Sequence, residues 1–359
     1  MRKAVRKMLF TNQQIDMLRE QSLRMDQEGT PTPEVLRFIY DERLFHLFVP
    51  DGLEGRMSTL PDAVRIFEEC SRIDGNLGWL VTIGAGGGFF VPFMPEDISR
   101  EVYARREAVI AGSGTPSGIA RRVPGGYRVS GSWKYCSGSS HATVFTANAV
   151  IDHPDAATDK GHPGEPAIRS FILQPHQVRI DHDWKAFGLK ATASHRIAVE
   201  EAFVPEEMTF SIAEMRAYHG EVIYRYPFLP FAQASFAAVA LGISRHFMEA
   251  ADELIKQRGS HEPLVHRWNE QMKVLEQARS AFHETIEESW SELLDHGALT
   301  PIVEEKVSSV CISTAGLSLK CGQTLFPLLG LAAAMENTAV NRCWRDLQTA
   351  CQHALLRAQ

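Results

Sequence analysis

Gly126-Tyr-Arg-Val-Ser-Gly-Ser-Trp-Lys-Tyr-Cys-Ser-Gly138 is the stretch on which the fold turns. Gly125-Gly126 makes a turn, and from Tyr127 to Trp133 apolar and polar residues alternate with the period of a half-buried strand. Working outward, Val109-Ile110 leads into the Gly/Ser-rich string Ser113-Gly-Thr-Pro-Ser-Gly118, and Thr143–Ile151, Ile168–Leu173 and Ile197–Val204 are further short β-rich runs. Turns part these runs, and a polar hairpin loop fills 152–167. That rhythm predicts a β-barrel or sandwich. On both sides the pattern becomes helical. Thr32-Pro33 is a helix start, and Ala63, Ile66 and Phe67 mark one helical face. Beyond the strands, Leu275, Ala278, Phe282, Ile286, Trp290 and Leu293 keep helical spacing over five turns. A third long helix is expected over about 302–326, and a last one from Thr338 through Trp344 to Leu356. The expected architecture is α+β and multidomain: an N-terminal helical domain (1–106), a central β domain (107–211) and a C-terminal four-helix bundle (212–359).

Composition narrows the function. The 359 residues carry 37 basic and 44 acidic side chains, a net charge of −7, which excludes a broad basic face for nucleic acid. Apolar residues at 44% and charged residues at 23% are those of a globular protein with a sizeable core. Cys70, Cys136, Cys311, Cys321, Cys343 and Cys351 form no C-x-x-C pair, so no zinc ribbon is implied and a reducing cytoplasm fits. Met1–Leu9 is basic without a long apolar core, so it does not read as a secretory signal; Met8 is an alternative start. Val307–Ala334 holds one charge, Lys320, but also Gln323, Pro327 and several Ser and Thr. It reads as a central helix of a bundle, buried on most sides, rather than a membrane span.

Several strings acquire meaning together. Gly126–Gly138 followed by His141 resembles the flavin-contacting strand of the acyl-CoA dehydrogenase superfamily. Trp184-Lys-Ala-Phe-Gly-Leu-Lys-Ala-Thr-Ala-Ser194, then Val199-Glu-Glu-Ala-Phe-Val-Pro205, resembles that superfamily's W-x(3)-G-L-x-x-T-x-S…V-F-V-P stretch. Asp74-Gly-Asn-Leu-Gly-Trp79 and Arg342-Cys-Trp-Arg-Asp346 with His353 resemble one branch, the oxygenase components of two-component, reduced-flavin-dependent monooxygenases such as 4-hydroxyphenylacetate hydroxylase. The strings share order and spacing over roughly residues 35–357.

The resemblance implies a flavoprotein oxidoreductase that takes reduced flavin from a separate reductase and uses O2 on a small organic substrate. No G-x-G-x-x-G follows a strand here, so the chain has no nicotinamide site of its own. Read physically, Ser137-Gly138 after Tyr135 offers a hydroxyl, an approachable backbone and an aromatic wall, while Ser113, Gly114, Thr115 and Gly118 offer backbone donors in a turn. Alone, each string reads more readily as a plain strand end or a plain loop. The expected catalytic pair is His353 and Ser137. A dehydrogenase base would fall at Ala354 or near Ala232, neither acidic. A dehydrogenase-like enzyme with a displaced base and a non-catalytic flavin- or acyl-binding protein remain the alternatives.

Two departures from the branch matter. Where it carries a phenol-contacting His, this chain has Gly86-Gly87-Gly88-Phe89, so phenol hydroxylation is in doubt and a less polar or bulkier substrate is favoured. Where dehydrogenases reach the FAD diphosphate with Arg-x-Gln-Phe-Gly, this chain has Gln257-Arg-Gly-Ser-His261, which favours FMN over FAD. A homotetramer through the C-terminal helices is expected from the family and from the apolar 307–334 stretch. Asp181-His182-Asp183 alternates faces on a strand, so no metal site is expected. Arg342 and Arg345 are expected to pair with carboxylates such as Asp346 and Glu336, and Trp184 to pack at the domain junction.

Overall fold

The computed structural model of the chain describes residues 9–152, 167–212, 220–259 and 262–357. The hairpin loop expected over 152–167 lies almost wholly outside them, as do Met8 and His261.

Helices α1 (Asn12–Glu28), α2 (Pro33–Asp41), α3 (Leu60–Ile73), α4 (Gly75–Gly86) and α5 (Glu96–Val102) come first. Their starts are chemically marked. Thr11, Thr32 and Thr59 each accept a first-turn N–H through the side chain, and Asp74 accepts two, from Asn76 and Leu77. A 3-10 turn, Gly87–Phe93, prolongs α4.

Strands β1 (Ile110–Val123), β2 (Gly126–Cys136), β3 (Val144–Asp152), β4 (Ile168–Leu173), β5 (Arg179–Asp181), β6 (His195–Pro205) and β7 (Thr209–Phe210) form one sheet in the order β5-β6-β2-β1-β3-β4-β7. Only the β1–β3 pair is parallel. Tyr127, Trp133, Phe145, Phe171, Ile197 and Val199 belong to one buried cluster, so the sheet curls around a core of its own.

Helices α6 (Phe228–Gln257), α7 (Glu262–His296), α8 (Pro301–Leu325), α9 (Leu331–Ala334) and α10 (Ala339–Ala350) follow. The buried central helix is α6, not the 307–334 stretch. Over Pro230–Ser244 every α6 residue is buried. Gly242 lets α3 lie close, since a Cβ there would stand 2.2 Å from the Glu68 carbonyl oxygen. The helix expected over about 302–326 is α8, Pro301–Leu325, and a 3-10 turn and Gly330, at φ +67°, separate it from α9 within the 307–334 stretch. Helix α8 buries one face, Val307, Cys311, Ala315, Ser318 and Cys321, and exposes Ser309, Ser313, Gly316, Lys320 and Gln323. Those outer residues are small or polar; the stretch reads as uncharged without being apolar all round. Gly75–Phe93 and Phe228–Gln257 are long and apolar enough to cross a membrane, but 83% of each apolar window is buried inside the fold.

Candidate functional site

The site is assembled where β2 ends. Tyr135 at φ +65° and Gly138 at φ +80° turn the chain so that Ser137 points inward, 5% exposed. Trp79, on the first turns of α4, donates its indole N–H to Ser137 Oγ at 2.9 Å. Ser137 Oγ lies 2.7 Å from Ser194 Oγ, which lies 2.7 Å from Thr192 Oγ1, which donates to the Leu189 carbonyl at 2.8 Å. The direction of this chain is forced. Thr192 gives its proton to Leu189, so it accepts from Ser194; Ser194 has then used its proton, so it accepts from Ser137. Ser137 therefore keeps one free lone pair and no free proton.

His353 stands on the other side of Trp79. Helix α10 ends at Ala350, short of the expected Leu356, and His353 caps the 3-10 turn Ala354–Leu356. Its Nδ1 accepts from Leu355 N at 3.4 Å, which leaves Nε2 as the protonated, donating nitrogen. The imidazole lies 3.9 Å from the Phe236 ring and 5.9 Å from Trp79. Burial holds its pKa down at about 4, so it is neutral at pH 7. Trp79 thus joins the two candidates, with its N–H on Ser137 and its ring beside His353.

A loop with backbone strain holds the arrangement. Leu189 and Ala193 sit at φ +51° and +46°. Leu189 N donates to Asp346 Oδ1 on α10 at 2.5 Å, and Ala191 N to Asn76 Oδ1 on α4 at 2.9 Å. From the β2 turn, Gly138 N donates to Thr192 O and Ser139 Oγ to Ala193 O. Gly188 permits the contact with α10, for a Cβ there would stand 2.1 Å from the Arg345 carbonyl oxygen. Burial and the neighbouring Asp74 carboxyl push the Asp346 carboxyl well above the usual range.

The remaining candidates divide. Ser113, Gly114, Thr115 and Gly118 do not form a free turn. They lie inside β1, where the register with β3 shifts between Ser113 and Gly118. The bulge leaves 114–117 exposed and outside the β1–β2 and β1–β3 registers, while Gly118 is buried under Trp133. Tyr135 is 70% exposed and meets Trp184 edge to face at 6.2 Å, so it forms an outer ledge rather than an inner wall. His141 stacks on Phe45 and is pushed down to about 4 by burial. Arg345 pairs with neither Asp346 nor Glu336; it grips Asp26 of α1 with two bonds, at 2.9 and 2.8 Å, while Arg342 donates to Asn337 O. Asp183 is held by Arg196, and no group of three metal-ligating side chains occurs among the described residues. Trp184 donates to Leu189 O and borders a cleft of about 900 Å³ with Asp26, Lys185, Lys190 and Met335.

Reading the sequence missed Phe236 and Gln233, which lie on an unbroken apolar helix and carry no local mark. Thr192, Ser194 and Trp79 were inside quoted strings but had no role, because side-chain bonds 57 and 58 residues apart leave no periodic trace.

The site fits a flavin edge: a bulged strand with unladdered backbone, an exposed Tyr135 ring beside a half-buried Trp184, and a buried hydroxyl close to them and to the Trp79–His353 pair. Known proteins resemble the chain in sequence and in fold. Residues 234–358 match the family model of the acyl-CoA dehydrogenase C-terminal domain. An indole-3-acetate monooxygenase of Pseudomonas putida is 26% identical over 87% of this chain and 80% of its own length. The oxygenase component of an FADH2-dependent resorcinol hydroxylase from Rhizobium is 24% identical over 86% and 80%. The crystal structure of 3-HSA hydroxylase from Rhodococcus superposes with a TM-score of 0.87 at 20% identity, covering 96% of this chain and 91% of that one.

Proposed function

We propose that the chain is a member of the acyl-CoA dehydrogenase superfamily and the oxygenase component of a two-component monooxygenase acting on a small aromatic substrate with reduced flavin and O2. The observation that carries this is the one-way hydrogen-bond chain ending on Ser137. A reduced flavin bears a hydrogen on N5 and an oxidised one does not. Ser137, with a lone pair and no free proton, suits the N–H of the reduced form and offers the oxidised form nothing to accept. The bound reduced flavin would supply the electrons for O2 activation. Around it, the backbone of Ser113, Gly114 and Thr115 meets the polar edge, and Gly138 allows the chain to approach. Tyr135 covers the outer face, while Trp79 and Phe236 keep water from the inner one. Neutral His353 donates from Nε2 to the oxygen that is activated there. Gly118 acts indirectly, by letting Trp133 fill the space beneath the bulge.

The reading includes a separate flavin reductase, FMN preferred over FAD, and a cytoplasmic setting that suits six free, buried cysteines. It also includes assembly into a homotetramer through the C-terminal helices, and three units parted near residues 106 and 211. The test is anaerobic titration with reduced and oxidised FMN and FAD. Reduced flavin should bind roughly 10-fold or more tightly than oxidised, the worth of one buried hydrogen bond. Ser137→Phe should abolish that binding. Equal affinity for the two redox states would remove the reading's support.

A further inference from the structure

On the two helices that pack around His353, two buried polar atoms have no partner among the described residues: Gln233 Oε1 on α6, in a residue 5% exposed, and Thr82 Oγ1 on α4, in a residue 3% exposed. Helices α4 and α6 run antiparallel here. Trp79 packs on Phe236 at 5.3 Å, and further along both elements Phe89 stacks on Phe231 at 4.3 Å. Thr82 comes one turn after Trp79 and Gln233 one turn before Phe236, so each follows the Trp79–Phe236 contact on the side toward the Phe89–Phe231 pair. The sense of the Gln233 amide is fixed, because its nitrogen donates to Leu355 O at 3.1 Å and leaves the carbonyl oxygen as the orphan. A Cβ on Gly86 would meet nothing within 4 Å, so α4 borders open space at this end.

Buried acceptors without partners are rare in folded chains and mark places that a ligand completes. The chemistry of the walls is equally definite. Neither 75–93 nor 228–244 contains a charged side chain or a histidine, and the titratable groups seen packed on these rings, His353 and Tyr224, are neutral at pH 7. We infer that Gln233 and Thr82 are the polar recognition point of the substrate: a neutral aromatic molecule with one N–H or O–H donor, which Gln233 Oε1 accepts while the rings of Trp79, Phe236, Phe89 and Phe231 hold its faces. A carboxylate on the ligand has no cation to meet on either helix, so the charged analogue is rejected. This rests on the oxygenase reading and names the substrate class for it.

The test is calorimetric binding to the full chain with matched probes: indole against 1-methylindole, phenol against anisole, and indole against indole-3-acetate. In at least one of the first two pairs the donor-bearing member should bind roughly 10-fold or more tightly. Gln233→Leu should reduce it to the level of its methylated partner, and Thr82→Val should weaken it while Thr82→Ser restores it. Indole-3-acetate should bind more weakly than indole. The wild-type comparison needs no variant to fold: equal or inverted affinities in both donor pairs overturn the inference, and tighter binding of indole-3-acetate overturns the neutral-substrate part. Reaction of the reduced-flavin complex with O2, followed without any probe, separates the two proposals. Selective probe binding without a stabilised oxygenated flavin sinks the oxygenase reading alone; a stabilised oxygenated flavin without donor selectivity sinks the recognition point alone.

Discussion

Trp79 touches both candidate residues, and the site depends on both contacts. Its N–H pins Ser137 and its ring packs beside His353, so a side chain on the first helical layer sets the spacing of a strand turn and the chain's last turn. His353 itself lies past the end of α10 and is neutral because burial depresses its pKa. His353→Ala should leave reduced-flavin affinity nearly unchanged and shorten the lifetime of the oxygenated flavin. One lost hydrogen bond to a buried oxygen, about 1–3 kcal/mol, corresponds to roughly 5- to 150-fold. Stopped-flow absorbance after mixing with O2 reads it, and unchanged rates would remove His353 from the proposed chemistry. Asp346 has the opposite shift. Burial and Asp74 raise its pKa, so its proton is favoured in the fold, and stability present at low pH is lost as pH climbs past the ordinary carboxyl value toward the raised one. Asp346→Asn keeps an acceptor for Leu189 N and removes the repulsion. At pH 8 it should be more stable than wild type by about 1–2 kcal/mol, with the gain vanishing near pH 4, as denaturant titrations at both pH values would reveal.

At the level of elements, Glu68 ties three helices together. Sitting on α3 and 2% exposed, it accepts from Arg245 of α6 and from Arg279 and His283 of α7, each at 2.5 Å. Burial alone would raise its pKa; the His283 bond and the two guanidinium groups outweigh that and hold it at about 2. Glu68→Ala leaves these cations facing one another in the interior and should cost about 3–5 kcal/mol by chemical denaturation. A loss below about 1 kcal/mol would mean that the network is largely hydrated. Element boundaries were legible wherever a cap or breaker marked them. Thr32-Pro33 and Thr338 open α2 and α10 as read, and the alternating 127–133 stretch is a strand. The end of α10 was not legible, since nothing at Ala350 or Cys351 breaks a helix by composition. The turn that carries His353 is held instead by Gln233, more than a hundred residues away. Likewise the Ser113–Gly118 string has the composition of a turn, yet pairing with β3 on both sides absorbs it as a bulge.

For the whole molecule, the loop 188–194 is the junction, bonded to α4, to the β2 turn and to α10. The C-terminal side also leaves Ile302, Leu328, Leu331 and Met335 exposed, at 79%, 50%, 80% and 53%. These residues, with the uncovered face of α8, are where the proposed tetramer would bury surface. Light scattering at micromolar concentration should give four chains, and Leu331→Glu should shift the population toward smaller species without lowering the thermal midpoint of the monomer fold. A single chain in solution would overturn the assembly.

What the sequence by itself determined is local or periodic: helices, then short strands, then long helices; the caps that start them; the absence of a broad basic face; and strings whose order resembles that of a superfamily. Each of these rests on interactions between residues near one another in the chain, so the pattern survives in one dimension. Only the tertiary structure decided which hydroxyl faces which, that Trp79 lies between Ser137 and His353, that α6 rather than 307–334 is the central helix, and that Gln233 Oε1 and Thr82 Oγ1 find no partner among the described residues. Those facts depend on side chains brought together from distant positions by packing, and on the direction in which each proton must point once its neighbours are fixed. Neither composition nor spacing encodes that direction, because it follows from the full set of donors and acceptors enclosed in the same small space.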